Sequence, residues 1–324
     1  MFMNKSNLLK SFSALAVAAL FGGSLISCSG DGDSYAPTPK ITDKDGNTVQ
    51  VTSAGGLSFV YDESGKLLSM SNGKKTYVLK DGKFAFDVNE GNRASKVDVY
   101  LNSDGLISKI EGTLEYSEDD EYEKDEFTLE YSYDSRRLKD CELSGKGSAE
   151  HKSSGHSYSY KGSGNVKYDW KDGNLMKVNV DTKSNYKEDG DSFDEDVTIV
   201  YDYTYGTQSN LSNQLPYYMG YVITGTEDFG GLFSVLGLFG YGPAYLPTGY
   251  TETEIEIEDG KERKHTNNRS LSFVMNDNGT IKSESMGNNR FVYTYTPTRA
   301  EEVNTQEFMQ YLLNMRSIIF KHRK

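Results

Sequence analysis

Apolar and polar residues alternate with a period of two along most of this chain. Phe127, Leu129, Tyr131 and Tyr133 fall on one side of an extended segment, with Thr128, Glu130, Ser132 and Asp134 on the other. Val197, Ile199, Tyr201, Tyr203 and Tyr205 repeat the arrangement, as do Leu271, Phe273 and Met275, and then Phe291, Tyr293 and Tyr295. Such stripes place one side of each strand in a core and the other in water, the habit of antiparallel sheets. Between the stripes sits a recurring punctuation: Asp62-Glu63-Ser64-Gly65, Lys80-Asp81-Gly82, Ser103-Asp104-Gly105, Lys171-Asp172-Gly173 and Asp277-Asn278-Gly279. Asp or Asn followed by Gly supplies the positive φ angles of tight hairpin turns. The turns are unevenly spaced, which argues for a hairpin meander over a fixed-period solenoid. The pattern predicts an all-β fold of roughly twelve to fourteen strands between residues 48 and 296, curled into a large sheet or a soluble barrel-like domain.

Two segments break the alternation. Residues 215–250 are apolar, aromatic and rich in glycine, too short in any unbroken run to cross ~30 Å of hydrocarbon. They predict a short helix or buried crossing segment that fills one end of the sheet. The alternative is an exposed ligand or partner patch made by Tyr217, Tyr218, Tyr221, Phe239, Tyr241 and Tyr245. The second break, near the end, places Phe308, Tyr311, Leu312, Met315, Ile318 and Ile319 at helical spacings. It predicts a C-terminal helix over residues 299–321, with Lys321 to Lys324 at its negative end, docked on the sheet or closing the barrel. A membrane-spanning barrel fits poorly, because the outer positions are expected to carry charge, Glu252, Glu254, Glu256 and Glu258 among them.

The first residues follow other rules. Lys5 and Lys10 precede an apolar run from Phe12 to Ile26, too short to span a bilayer but right for an export signal. Leu25-Ile26-Ser27-Cys28 resembles the lipobox of bacterial lipoproteins, which implies cleavage after residue 27 and lipid on Cys28. The acidic stretch Ser29-Gly30-Asp31-Gly32-Asp33 is similar to the signal that sends Bacteroidota lipoproteins to the cell surface. An outer-membrane lipoprotein facing outward is implied, with a periplasm-facing one as the alternative. Residues 28–47, with Pro37 and Pro39, then serve as a flexible tether to a single domain over 48–324. The Tyr-x-Tyr-Asp strands and x-Asp-Gly-x-Leu hairpins over about residues 50–296 resemble the YD-type repeats of bacterial surface proteins. With the lipobox they resemble Bacteroidota lipoproteins of unknown function with a porin-like β fold. That resemblance implies a fold and a location, and no site residues.

Composition narrows the partners. A formal net charge of −13 argues against nucleic acid and against anionic headgroups as surfaces for the folded domain. Two cysteines are present; with Cys28 lipidated, Cys141 has no partner and is expected as a small buried strand residue. Two acid-rich loops invite calcium, and Asp189, Asp191 and Asp194 are its candidates, although their spacing is not that of a dedicated calcium loop. The other reading is a solvated hairpin tip whose charge prevents edge pairing. No Ser-His-Asp order, H-E-x-x-H or C-x-x-C occurs, so no catalytic residue and no cofactor is assigned. The leading expectation is a non-catalytic binding or assembly module for glycans or an envelope protein, since tyrosine-rich faces suit sugar rings and protein surfaces. The alternatives are a structural envelope lipoprotein and an envelope hydrolase with two carboxylates across a cleft.

Overall fold

The computed structural model describes residues 41–295, apart from 64, 74, 75, 91, 92, 119, 120, 152, 225–227, 259 and 260. The expected signal peptide, Cys28 and the predicted helix over 299–321 lie outside the described residues. The first strands are short: β1 (Ile41–Thr42), β2 (Thr48–Val49), β3 (Val51–Ala54), β4 (Leu57–Tyr61), β5 (Leu67–Ser71) and β6 (Thr76–Val78). The strands β7 (Lys83–Glu90) and β8 (Arg93–Leu101) follow. Then come β9 (Ile107–Glu118), β10 (Glu121–Asp134), β11 (Arg137–His151), β12 (His156–Lys171), β13 (Asn174–Glu188) and β14 (Asp191–Ser209). Two helices, α1 (Tyr217–Ile223) and α2 (Asp228–Val235), interrupt the meander. It resumes as β15 (Tyr245–Glu258), β16 (Lys261–Met275), β17 (Ile281–Met286) and β18 (Asn289–Tyr295).

Apart from the small β1–β2 hairpin, the strands form one antiparallel sheet of 16, in the order β6-β5-β4-β3-β18-β17-β16-β15-β14-β13-β12-β11-β10-β9-β8-β7. Its two ends are consecutive in the chain. Lys80 and Lys83 exchange backbone hydrogen bonds of 3.0 and 2.9 Å across Asp81-Gly82, so a two-residue turn joins the first strand of the order to the last. The sheet is therefore a nearly closed barrel. Asp81 and Gly82 have φ of +50° and +70°, which is why this turn needs an Asp-Gly pair. Every Asp-Gly or Asn-Gly turn singled out in the sequence falls, by the alternation of strand direction, at the same end of the barrel.

That end is also where the chain between β14 and β15 enters. Helices α1 and α2 pack together through Gly220 and Gly231, where a Cβ would meet Ser234 and the Tyr217 ring. Their residues reach strands on opposite sides of the ring. Tyr131 and Tyr168 donate to the carbonyls of Thr224 (2.8 Å) and Ile223 (2.7 Å). The Ile107 N–H donates to the Leu238 carbonyl, and Phe291 stacks on Tyr217 at 3.8 Å between ring centres. The segment is a plug, as expected from its composition, and it completes one continuous core. Its last six residues differ from expectation: 245–250 are already strand β15.

Three further expectations need correction. Eighteen strands are described, more than the alternation suggested, because β1 lies before residue 48 and β2, β3 and β6 have only 2 to 4 residues, too few to show a stripe. The tether does not extend to residue 47: Ile41 and Val49 pair and are buried, and Lys44 N–H bonds Asn278 on the plug end. Glu252, Glu254 and Glu256 do not face outward. They pair with Tyr201, Ile199 and Val197, whose side chains line the interior.

Candidate functional site

The barrel is lopsided. Strands β9 to β16 are 12 to 19 residues long, while the others in the sheet have 3 to 9. A tall wall therefore rises past the short strands, and its inner face continues the barrel interior beyond the core. The two faces of this wall differ in charge. Outside, acids meet lysines: Lys124–Glu115 at 3.2 Å, Lys146–Glu126 at 2.9 Å, Lys177–Asp202 at 3.2 Å and Lys183–Asp196 at 3.3 Å. This is not the aliphatic belt of a lipid-facing barrel. It also holds a shallow groove of about 520 Å³ between Lys96, Asp98, Glu111, Glu126, Lys146 and Lys161, whose charges balance. Inside, strand alternation and register place Glu121, Glu123 and Asp125 of β10, Glu188 of β13, Asp191 and Glu195 of β14 and Glu252, Glu254 and Glu256 of β15, with Lys261, Arg263 and Arg269 of β16 on the same face.

At the centre of that inner face four rings gather. Tyr186 stacks on Phe193 at 5.0 Å, and Tyr158 lies 5.7 Å from Tyr186 and 6.1 Å from Tyr160. Two carboxylates are buried with them, Asp125 at 4 % and Glu195 at 3 % exposure. Tyr160 donates to Asp125 Oδ1 at 2.7 Å, and Tyr186 donates to Glu195 Oε2 at 2.9 Å. Tyr160 reaches across β11 because Gly147 leaves room: a Cβ there would lie 2.0 Å from Asp125 Oδ1 and 2.3 Å from the Tyr160 ring. Burial raises the Asp125 pKa, and the Tyr160 hydrogen bond only partly opposes it. Asp125 Oδ2 is buried with no hydrogen-bond partner. Burial also pushes the Tyr158 phenol upward, with Glu195, Asp125, Glu123 and Glu188 all close enough to add to the shift. Tyr158 is the point on which the carboxylates of three strands converge.

The residues singled out from sequence end up elsewhere. Tyr217, Tyr218 and Phe239 are buried at 3 %, 2 % and 0 % exposure, and Tyr221 and Tyr241 are half-buried. Tyr245 is exposed but sits on β15, its N–H held by Asn174. The six rings thus do not form one surface: Tyr217, Tyr218 and Phe239 supply apolar contacts that close the barrel end, while Tyr245 stands on β15. Asp189, Asp191 and Asp194 do not converge either. Asp189 caps the β13–β14 turn by accepting from Ser157 N–H at 3.0 Å and by contact with His156, and Asp194 accepts from Asn185 at 2.9 Å. Among the described residues no three His, Cys, Asp or Glu side chains stand close enough to share a metal ion. Cys141 is fully buried on β11. Asp125 and Glu195 lie under rings and do not flank an open cleft, the arrangement glycoside hydrolysis requires. The sequence signal for the cluster was there: Tyr158 and Tyr160 share strand parity with Val166 and Tyr168, Tyr186 with Val178 and Val180, and Phe193 with Val197 and Ile199.

No protein-family profile and no curated protein matches the chain. Among solved structures it is similar to a porin-like protein from Bacteroides vulgatus ATCC 8482, at 16 % identity and a TM-score of 0.38, covering 81 % of this chain and 100 % of that one. A second is a porin-like protein from Bacteroides uniformis ATCC 8492, at 11 % identity and a TM-score of 0.23, covering 66 % and 95 %. Likeness at this level adds nothing to what the strands of the chain itself establish.

Proposed function

We propose that this protein is a non-catalytic binding or assembly module of the bacterial cell envelope, held at the outer membrane by lipid on Cys28 and facing outward. Its partner, a glycan or an envelope protein, is taken on the inner face of the tall wall, around Tyr158. The reading is carried by one observation: Asp125 is buried among aromatic rings with Oδ2 unpartnered. Burying a carboxylate costs several kcal/mol, and an apolar residue of similar size would serve a purely structural sheet better. Rings offer stacking surface, and carboxylates accept hydrogen bonds from sugar hydroxyls or from basic side chains. Glycan-array binding and envelope pull-down with the lipid-free domain test the reading. A retained glycan or protein supports it; no ligand and no co-purifying protein counts against it.

One observation favours a second reading, a structural envelope lipoprotein with no ligand site. Residues 230–240 are all buried, so this stretch of the segment serves as core. That reading expects Tyr158→Ala to alter stability and no interaction.

A further inference from the structure

The short-strand side of the barrel has a different outer surface. In register across β4, β5 and β6 lie Val60, Ser69 and Val78; across β16, β17 and β18 lie Val274, Ser283 and Val292. Thr294, Ser53 and Ser58 form the row between them on β18, β3 and β4. None of these nine positions is charged, although Arg290, two residues from Val292 on the same face of β18, donates to Ser283 Oγ at 3.1 and 3.2 Å and leaves Ser283 only 1 % exposed. The four valines are 50–53 % exposed, and Leu68 beside them is 40 % exposed. Singly exposed apolar residues are ordinary, but two rows of exposed valines joined by small polar residues, with Arg290 lying across one row, mark a contact surface.

We infer that this band is the docking site of the chain's own C-terminal segment, residues 298–324. The described chain ends at Tyr295, beside Thr294, so the segment starts from the middle of the band. Its stripe of Phe308, Leu312, Met315 and Ile319 supplies the apolar face that the valines lack. As a helix, Phe308 to Ile319 covers ~17 Å. The band crosses six strand spacings, about 29 Å, so the stripe fits within it. The link from 295 to 308 can extend to ~43 Å and does not limit placement. The other long apolar run outside the described residues, Phe12 to Ile26, has the composition of a leader that is removed. A covalent link also holds the segment at high local concentration. This inference is independent of the ligand face.

Hydroxyl-radical footprinting of Val60, Val78, Val274 and Val292 tests it, in three forms made without lipid by Cys28→Ser. These are the full chain, a chain ending at Pro297, and the full chain with Leu312→Lys and Ile319→Lys. Far-ultraviolet circular dichroism checks that each keeps its strands, so the double variant serves if the truncation misfolds. Oxidation of the valines should be low in the full chain and severalfold higher in the other two, with exposed Met176 on β13 unchanged. Equal oxidation in all three forms overturns the inference. So does protection that disappears on dilution as the mass halves, which would identify a second copy. Protection seen only with phosphatidylethanolamine–phosphatidylglycerol vesicles would identify a lipid surface and overturn it too.

Discussion

Glu284 is fully buried inside the barrel, and its environment links plug stability to pH. Its carboxylate accepts from the N–H of Tyr217 at 2.5 Å and of Tyr218 at 3.3 Å, the first residues of α1, and from the Tyr293 hydroxyl. These donors favour the charged form, but burial outweighs them and raises the pKa from 4.5 to about 8. The folded state thus keeps a proton that the unfolded chain releases. The stabilisation is fully present below pH 4.5 and is lost as pH rises through about 8, a difference on the order of a few kcal/mol. The thermal midpoint should fall between pH 5 and pH 9, and Glu284→Gln, which imitates the protonated form, should flatten that fall. An unchanged slope in the variant would show that other groups are responsible. Backbone strain gives a second prediction. Ser135 and Arg136 form the β10–β11 turn with φ of +51° and +64°, positions that suit Asn and Gly. Ser135→Asn should stabilise in urea unfolding, because Asn tolerates the left-handed region better than Ser; a loss would mean that the Ser135–Asp134 side-chain bond at 3.0 Å outweighs the strain.

At the scale of elements, the plug and the wall depend on different contacts. Phe233 of α2 has no exposure and lies 6.1 Å from Phe86 and 6.5 Å from Phe239. Phe233→Ala should cost about 3–5 kcal/mol in denaturant unfolding, whereas a cost below 1 kcal/mol would mean that the plug is not part of the core. Gly147→Ala should instead separate Tyr160 from Asp125, read as a change in tyrosine fluorescence larger than the change in stability. Elements of both kinds were legible in sequence to different degrees. Turns such as Lys80-Asp81-Gly82 were plain, because positive φ restricts the residues that can occupy them. The aromatic run through Phe233 and Phe239 was readable as an interruption but not as a surface or a core, since both uses select the same residues. Glu252 to Ile257 misled for a different reason. Alternation of Glu with Ile suggests that isoleucine faces inward, yet register is set by the neighbouring strand, and Tyr203 paired with Tyr250 turns the glutamates inward. Ile257 is left 43 % exposed. A period of two identifies two faces; it does not say which one the core takes.

For the whole molecule, the decisive feature is the unequal height of the barrel and the charge each surface carries. The net charge of −13 is not spread evenly. Outside the tall wall, several carboxylates pair with lysines; inside, the carboxylates of β10, β13 and β14 gather around Tyr158 with rings between them, and Lys261, Arg263 and Arg269 stand further round on β16. Such a face should recognise a partner with hydroxyl or cationic donors, and binding to a cationic one should weaken with salt. The most direct measurement is the affinity of a partner captured from the envelope for three lipid-free proteins: the unaltered domain, Tyr158→Ala, and Lys146→Ala on the outer face. Removal of a stacking ring should weaken binding about tenfold, equivalent to ~1.4 kcal/mol, while Lys146→Ala should leave it unchanged. Equal affinity for all three, with the strands intact, would contradict the assignment of recognition to the inner wall.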